Sequence, residues 1–221
     1  MLKSPLEFAR MLFASLLLGL SGAAFAQPVS LQPLNPPQSV ENDGKIEVLE
    51  FFAYGCIVCA NAEPRVKAWV AAQGADIKFR QVPSPVPVRG IDSVPIFYTL
   101  EAMGQLNRLH QKIFDAANVE NVQLGHLPTL LKWLDKNGVK PADFETMQKS
   151  FSVDSRIKRA VRMVKDYQVG STPTFVIDGR WSVVGLGPET FEKIDQAVAQ
   201  ARARMKAAAP ATPAVADAKK K

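Results

Sequence analysis

Cysteine and histidine are scarce in this sequence, with two of each among 221 residues. Neither His110 nor His126 stands at metal-ligand spacing from the cysteines, so a four-ligand zinc site would lack two of its members. Ala60 follows Cys59 where a c-type haem attachment motif requires histidine. Long apolar runs are also missing, and the one candidate, Leu12 to Leu20, is too short for a secure membrane span. Charge of one sign is not concentrated. The formal net charge is +6, of which the first 26 residues carry +1 and the last fifteen +2, leaving about +3 elsewhere, with acids and bases interspersed. That balance argues against nucleic acid as a partner.

The ends of the chain have their own composition. Lys3 and Arg10, against Glu7, precede the apolar run, and Ala24-Phe25-Ala26 fits the small-x-small cleavage rule. Residues 1–26 therefore read as a signal peptide cleaved near Ala26, leaving a soluble, exported chain. Residues 27–43 hold several prolines and no periodicity, and an extended N-terminal arm is expected there. Residues 207–221 are Ala/Pro-rich, end in three lysines and lack apolar spacing, so a disordered tail is expected.

Both cysteines sit in one motif, Cys56-Ile57-Val58-Cys59. The run Ile46 to Phe52 before them reads as a buried strand, and Ala60 to Gln73 after them as a helix. A cysteine at a helix N-terminus meets unpaired N–H groups and the positive end of the macrodipole, which favour a thiolate. In an oxidising compartment a structural bridge stabilises most when it closes a long loop, and this one would close a short loop. Redox exchange therefore explains the pair better than stapling does.

Between residues 44 and 206 the pattern is strand, helix, strand, helical block, hairpin, helix. Pro64 should kink the first helix, Gly74 should cap it, and Val66, Trp69 and Val70 should face inward. Ile77 to Val82 reads as a second strand, ended by Pro83, Pro85 and Pro87. Apolar stripes then follow. Leu106, Leu109 and Ile113 form one, with His110 expected at the surface, and Leu127, Leu130, Leu131 and Leu134 form another. Phe144, Met147 and Phe151 form a third; Asp154 should cap a helix whose inner face is Ile157, Ala160, Val161 and Val164. Thr174 to Ile177 and Arg180 to Val184 read as a hairpin around Asp178-Gly179, before a final helix from about Glu189. An α/β sheet interrupted by a helical insertion fits that order.

The segments Val48-Leu49-Glu50-Phe51-Phe52-Ala53-Tyr54-Gly55-Cys56-x-x-Cys59 and Ser171-Thr172-Pro173-Thr174-Phe175 resemble those of DsbA-type thiol–disulfide oxidoreductases of the bacterial periplasm. The resemblance spans about residues 44 to 204. It implies a thioredoxin-like domain from residues 44–88 and 161–206, with an inserted helical domain at 89–160. It implies that Cys56 forms the mixed disulfide with substrate and that Cys59 resolves it. Thr172 and Pro173 resemble the family's substrate-binding cis-proline loop; on its own, Pro173 would read as an ordinary strand-start proline. Glu50, a carboxylate among apolar residues, and Glu63 match acidic family positions that could relay a proton to Cys59.

What the resemblance implies about function is a monomeric enzyme that donates its Cys56–Cys59 disulfide to reduced exported proteins. It needs no other cofactor and is re-oxidised by a quinone-linked membrane oxidase. The family's best-known members have Pro-His between the cysteines. Here Ile57-Val58 offers neither charge nor side-chain donor, which weakens thiolate stabilisation and leaves the direction of electron flow open. A reductase or isomerase on the same fold, and a thiol chaperone for Cu(I), are the competing readings.

Overall fold

The computed structural model describes residues 29–40 and 43–208. The expected signal peptide, its cleavage site and most of the expected tail lie outside the described residues. Five strands form one sheet: β1 (Leu31–Pro33), β2 (Ile46–Phe52), β3 (Ile77–Pro83), β4 (Thr174–Ile177) and β5 (Trp181–Val184). Their order is β1-β5-β4-β2-β3. Only the β2–β3 pair is parallel; the others are antiparallel. The helices are α1 (Ile57–Ala71), α2 (Ser93–Ala102), α3 (Leu106–Asn118), α4 (Leu127–Lys136), α5 (Pro141–Gln148), α6 (Phe151–Asp166) and α7 (Thr190–Ala208).

All seven residues of β2 are buried, because helices cover both of its faces. Successive side chains point to opposite faces. Ile46 and Val48 pack with Ala62, Val66 and Trp69 of α1 and with Ile194, Ala197 and Val198 of α7. Leu49 and Phe51 pack on the other side with Val94 of α2 and Ala160 of α6. At the C-terminal end of β2, Phe52 and the following Ala53 and Tyr54 enter a third core with Phe97, Leu109, Ile113 and Phe114 of the helical block. The strand thus delivers the cysteine motif to the junction of sheet and helical block. This is the α/β sheet with inserted helices that the sequence pattern implies.

Several local expectations change. The segment expected to be an extended arm contributes a short edge strand, β1, which pairs with β5. Gly74 does not adopt a positive φ, and the chain leaves α1 through Ala72 in a right-handed conformation. Phe151 is 85% exposed rather than inward. Its stripe with Phe144 and Met147 assumed one continuous helix, but α5 ends at Gln148 and α6 restarts at Phe151, which resets the phase. Ser150, not Asp154, caps α6 through a bond from the Val153 N–H. Val161 is exposed, one step round the helix from buried Ala160. α6 also runs unbroken across residue 160, the expected border of the insertion. In the hairpin, Asp178 and Gly179 both have positive φ, as the expected turn needs, but pairing begins one residue late, at Ile177 with Trp181.

Candidate active site

α1 begins earlier than its apolar pattern suggests, at Ile57, which makes Cys56 its N-cap. The cap position normally belongs to an oxygen-bearing side chain. Here the Cys56 Sγ accepts the Cys59 N–H at 3.2 Å. Cys56 retains 9% of its surface and Cys59 1%, so Cys56 is the more accessible of the two. Both thiols are free. Ile57 and Val58 stand half exposed beside them and give the site an apolar rim. Gly55 lies against the loop after β3. A Cβ there would come within 2.1 Å of the Val88 carbonyl oxygen, so only glycine fits.

The second expected segment arrives from far along the chain. The Cys56 thiol donates to the Thr172 carbonyl oxygen at 3.4 Å, and the Thr172–Pro173 peptide bond is cis. The two sulfurs differ in acidity. Hydrogen bonding from the Cys59 thiol does most to lower the Cys56 pKa to about 6. Burial opposes this, while Thr172 and the N–H groups of Cys59 and Val58 add to it. Cys59 is driven far above the usual thiol range, first by its bond to Cys56 and then by burial. A helix N-terminus thus supplies backbone donors where Ile57 and Val58 supply no side-chain ones.

Glu50 and Glu63 are 1% and 2% exposed and meet through a residue the sequence reading did not single out. Gln81 is the register partner of Glu50 on β3. Its Nε2 donates to Glu50 Oε2 at 2.9 Å and to Glu63 Oε2 at 3.0 Å. Burial pushes the Glu50 pKa up to about 8; Gln81 opposes this, and the charges of Glu63 and Cys56 add to it. For Glu63 burial also acts upward, but His110 and Lys67 outweigh it and leave the group below its ordinary value. Lys67 Nζ lies 3.2 Å from Glu63 Oε1.

His110 is not a surface residue. It is 4% exposed, with its Nδ1 3.0 Å from the Tyr54 hydroxyl and its Nε2 3.5 Å from Glu63 Oε2. It continues the buried stripe of Leu109, Ile113 and Phe114 on α3. The signal was in the sequence, since residue 110 lies four after Leu106 and four before Phe114. Polar neighbours in sequence hid it. His126 caps α4 without a side-chain bond to the backbone and is exposed. Among the described residues no three His, Cys, Asp or Glu side chains are grouped so as to hold a metal ion.

Comparison with known proteins gives the chain a family. Residues 91–199 match the DSBA-like thioredoxin domain. The thiol:disulfide interchange protein DsbA of Bordetella parapertussis is 34% identical over 174 residues, covering 76% of this chain and 83% of that protein. The chain belongs to the DsbA family. The Pseudomonas aeruginosa DsbA is 31% identical over 179 residues, covering 78% of this chain and 84% of its own length. A crystal structure of Pseudomonas aeruginosa DsbA superposes with a TM-score of 0.72 at 29% identity, over 80% of this chain and 95% of that one. The structural likeness takes in four-fifths of this DsbA-family chain, far more than a cysteine motif alone would.

Proposed function

We propose that this DsbA-family protein is a thiol:disulfide oxidoreductase that passes its Cys56–Cys59 disulfide to reduced exported proteins. The observation that carries the reading is the asymmetry of the two sulfurs. Cys56 is the more accessible, its pKa lowered to about 6, while Cys59 is buried and strongly favours its proton.

The exchange follows from that asymmetry. A substrate thiolate attacks the Cys56 Sγ, the Cys56–Cys59 bond breaks, and Cys59 leaves with the electron pair. Its high proton affinity makes it take up a proton, and Glu50, protonated below about pH 8, supplies one from the buried side. A second substrate thiolate then attacks the substrate sulfur of the mixed disulfide. Cys56 departs as a thiolate stabilised by the Cys59 N–H, and the substrate leaves with a new disulfide. Two electrons pass to the cysteine pair, so each turnover needs an external oxidant. A quinone-linked membrane oxidase is the proposed source, and the periplasm the proposed compartment, with the chain acting as a monomer. Thr172 and Pro173 form the substrate-facing wall of the site, where an extended peptide can pair with the backbone at residue 172.

The test is stoichiometric. Oxidised protein mixed with a reduced, unfolded substrate protein should lose its own disulfide as the substrate gains one. A reductase should instead remain oxidised until a strong donor is supplied, and should then break substrate disulfides. Retention of the Cys56–Cys59 disulfide in the presence of excess reduced substrate would reject the oxidase reading.

A further inference from the structure

The polar chain beneath the cysteines runs further than thiol exchange alone requires. It starts at Glu50 on β2, crosses Gln81 on β3 to Glu63 on α1, and ends on His110 and Tyr54 in the helical core. The His110 ring is caged by Phe52, Tyr54, Phe97 and Phe114, with ring centroids 5.1–6.0 Å away. Such a cage leaves an imidazole two polar outlets, and each is matched to one nitrogen.

The Glu63 side of the cage selects where the proton on His110 sits. An ionised carboxylate only accepts, so Glu63 Oε2 favours the neutral tautomer with its proton on Nε2. Burial holds Tyr54 as a neutral phenol, whose hydroxyl can then donate to Nδ1. In the charged imidazolium Nε2 carries a proton as well. In both states an N–H faces Glu63 Oε2 across 3.5 Å, and among the described residues Nε2 has no closer hydrogen-bond partner.

The groups facing Glu63 are therefore His110 from α3, Lys67 from its own helix and the Gln81 amide, all able to donate. Those facing Glu50 are the same Gln81 amide and the negative charges of Glu63 and the Cys56 thiolate. Two buried carboxylates joined by one amide cannot both ionise cheaply, and the better-served one ionises first.

We propose that His110 is a positioning residue for the thiol chemistry: oriented by Tyr54, it holds the negative charge on Glu63 and so keeps the shared proton on Glu50, ready for Cys59. The helical block then sets the protonation of the site as well as walling it. This rests on the disulfide-exchange reading above for its consequence, but the position of the proton can be measured without it.

The experiment follows the Glu50 and Glu63 carboxyl titrations by NMR in the oxidised full chain. Wild type, His110→Phe, His110→Gln and Tyr54→Phe are compared, with the rate of disulfide attack by glutathione measured at pH 7. His110→Phe fills the aromatic cage but removes the donor. In it the Glu63 midpoint should rise and the Glu50 midpoint fall. The glutathione rate should drop at least roughly tenfold, as Glu50 is lost as an acid. His110→Gln keeps an N–H and should restore most of both. Tyr54→Phe, the mildest change, should shift both midpoints in the same directions by less, and it carries the test if His110→Phe does not fold.

Unchanged midpoints in His110→Phe and Tyr54→Phe would overturn the proposal. So would shifted midpoints with an unchanged glutathione rate, since His110 would then be only structural. A wild-type chain that failed to exchange with any thiol would instead reject the functional reading, while the titrations would still decide where the proton lies.

Discussion

The Cys56 thiol and the Thr172 carbonyl oxygen meet at 3.4 Å although 116 positions separate them in sequence. Beside that contact, hydrogen bonding from the Cys59 thiol does most to bring the Cys56 pKa from 9.0 down to about 6. Alkylation of the reduced protein by iodoacetamide should therefore titrate with a midpoint near pH 6, where a free thiol would show about 8.5. The linked stability has a definite sign. A depressed folded-state pKa contributes stability that is fully present above about pH 9 and lost as the pH falls through about 6. The unfolding free energy of the reduced form, less that of the oxidised form, should rise across that window. A flat difference in urea titrations would contradict the assignment.

The value of about 6 also bears on redox strength. It lies between the thiolate pKa of about 3.5 in a strongly oxidising DsbA and about 7 in thioredoxin. The potential is accordingly expected between roughly −270 and −120 mV, the values for those two proteins. Val58→His adds a donor beside the sulfur and should make the protein more oxidising, by roughly 30 mV per pKa unit gained. Equilibration with glutathione buffers measures both forms; a native potential above about −120 mV would show that Ile57-Val58 costs nothing.

Glu50 gives the opposite pH dependence. Its folded pKa is raised from 4.5 to about 8, so its contribution is complete below about 4.5 and is lost as the pH rises through about 8. Glu50→Gln should flatten that decline and leave the oxidised protein more stable than wild type at pH 9. The gain should be a few kcal/mol, bounded by roughly 5 from the full shift. Chemical denaturation of the oxidised forms from pH 4 to 9 checks this and leaves the free thiols out of the comparison.

Gly55→Ala should damage the site by packing alone. The added methyl would meet the Val88 carbonyl at 2.1 Å, and backbone cannot rotate away as a side chain can. A loss of about 1–3 kcal/mol is expected, with slower Cys56 alkylation as the loop shifts. Thermal denaturation together with the alkylation rate distinguishes this from a neutral change.

Much of this was readable in the sequence because it is local or periodic. The buried run Ile46 to Phe52, the cysteine motif and the Thr174 strand start follow from apolar spacing and punctuation. Register was not readable, so Gln81 as the bridge between Glu50 and Glu63 emerged only with the parallel pairing of β2 and β3. β1 was hidden because its three residues include a proline and pair only at the sheet edge. His110 was misplaced because a polar residue on an apolar stripe is buried only when partners await it, and Tyr54 and Glu63 lie 56 and 47 positions away.

The central claim is that the substrate bonds to Cys56 and not to Cys59, which leaves Cys56 as the mixed disulfide forms and can attack it again to expel the substrate. Cys59→Ala and Cys56→Ala, each reduced and incubated with a substrate protein whose cysteine carries a small thiol in mixed disulfide, so that attack expels the small thiol, test it on non-reducing gels. Cys59→Ala should accumulate a covalent complex with the substrate that reducing agent dissolves, and Cys56→Ala should accumulate none. Equal trapping by both variants, or trapping by Cys56→Ala alone, would contradict the account.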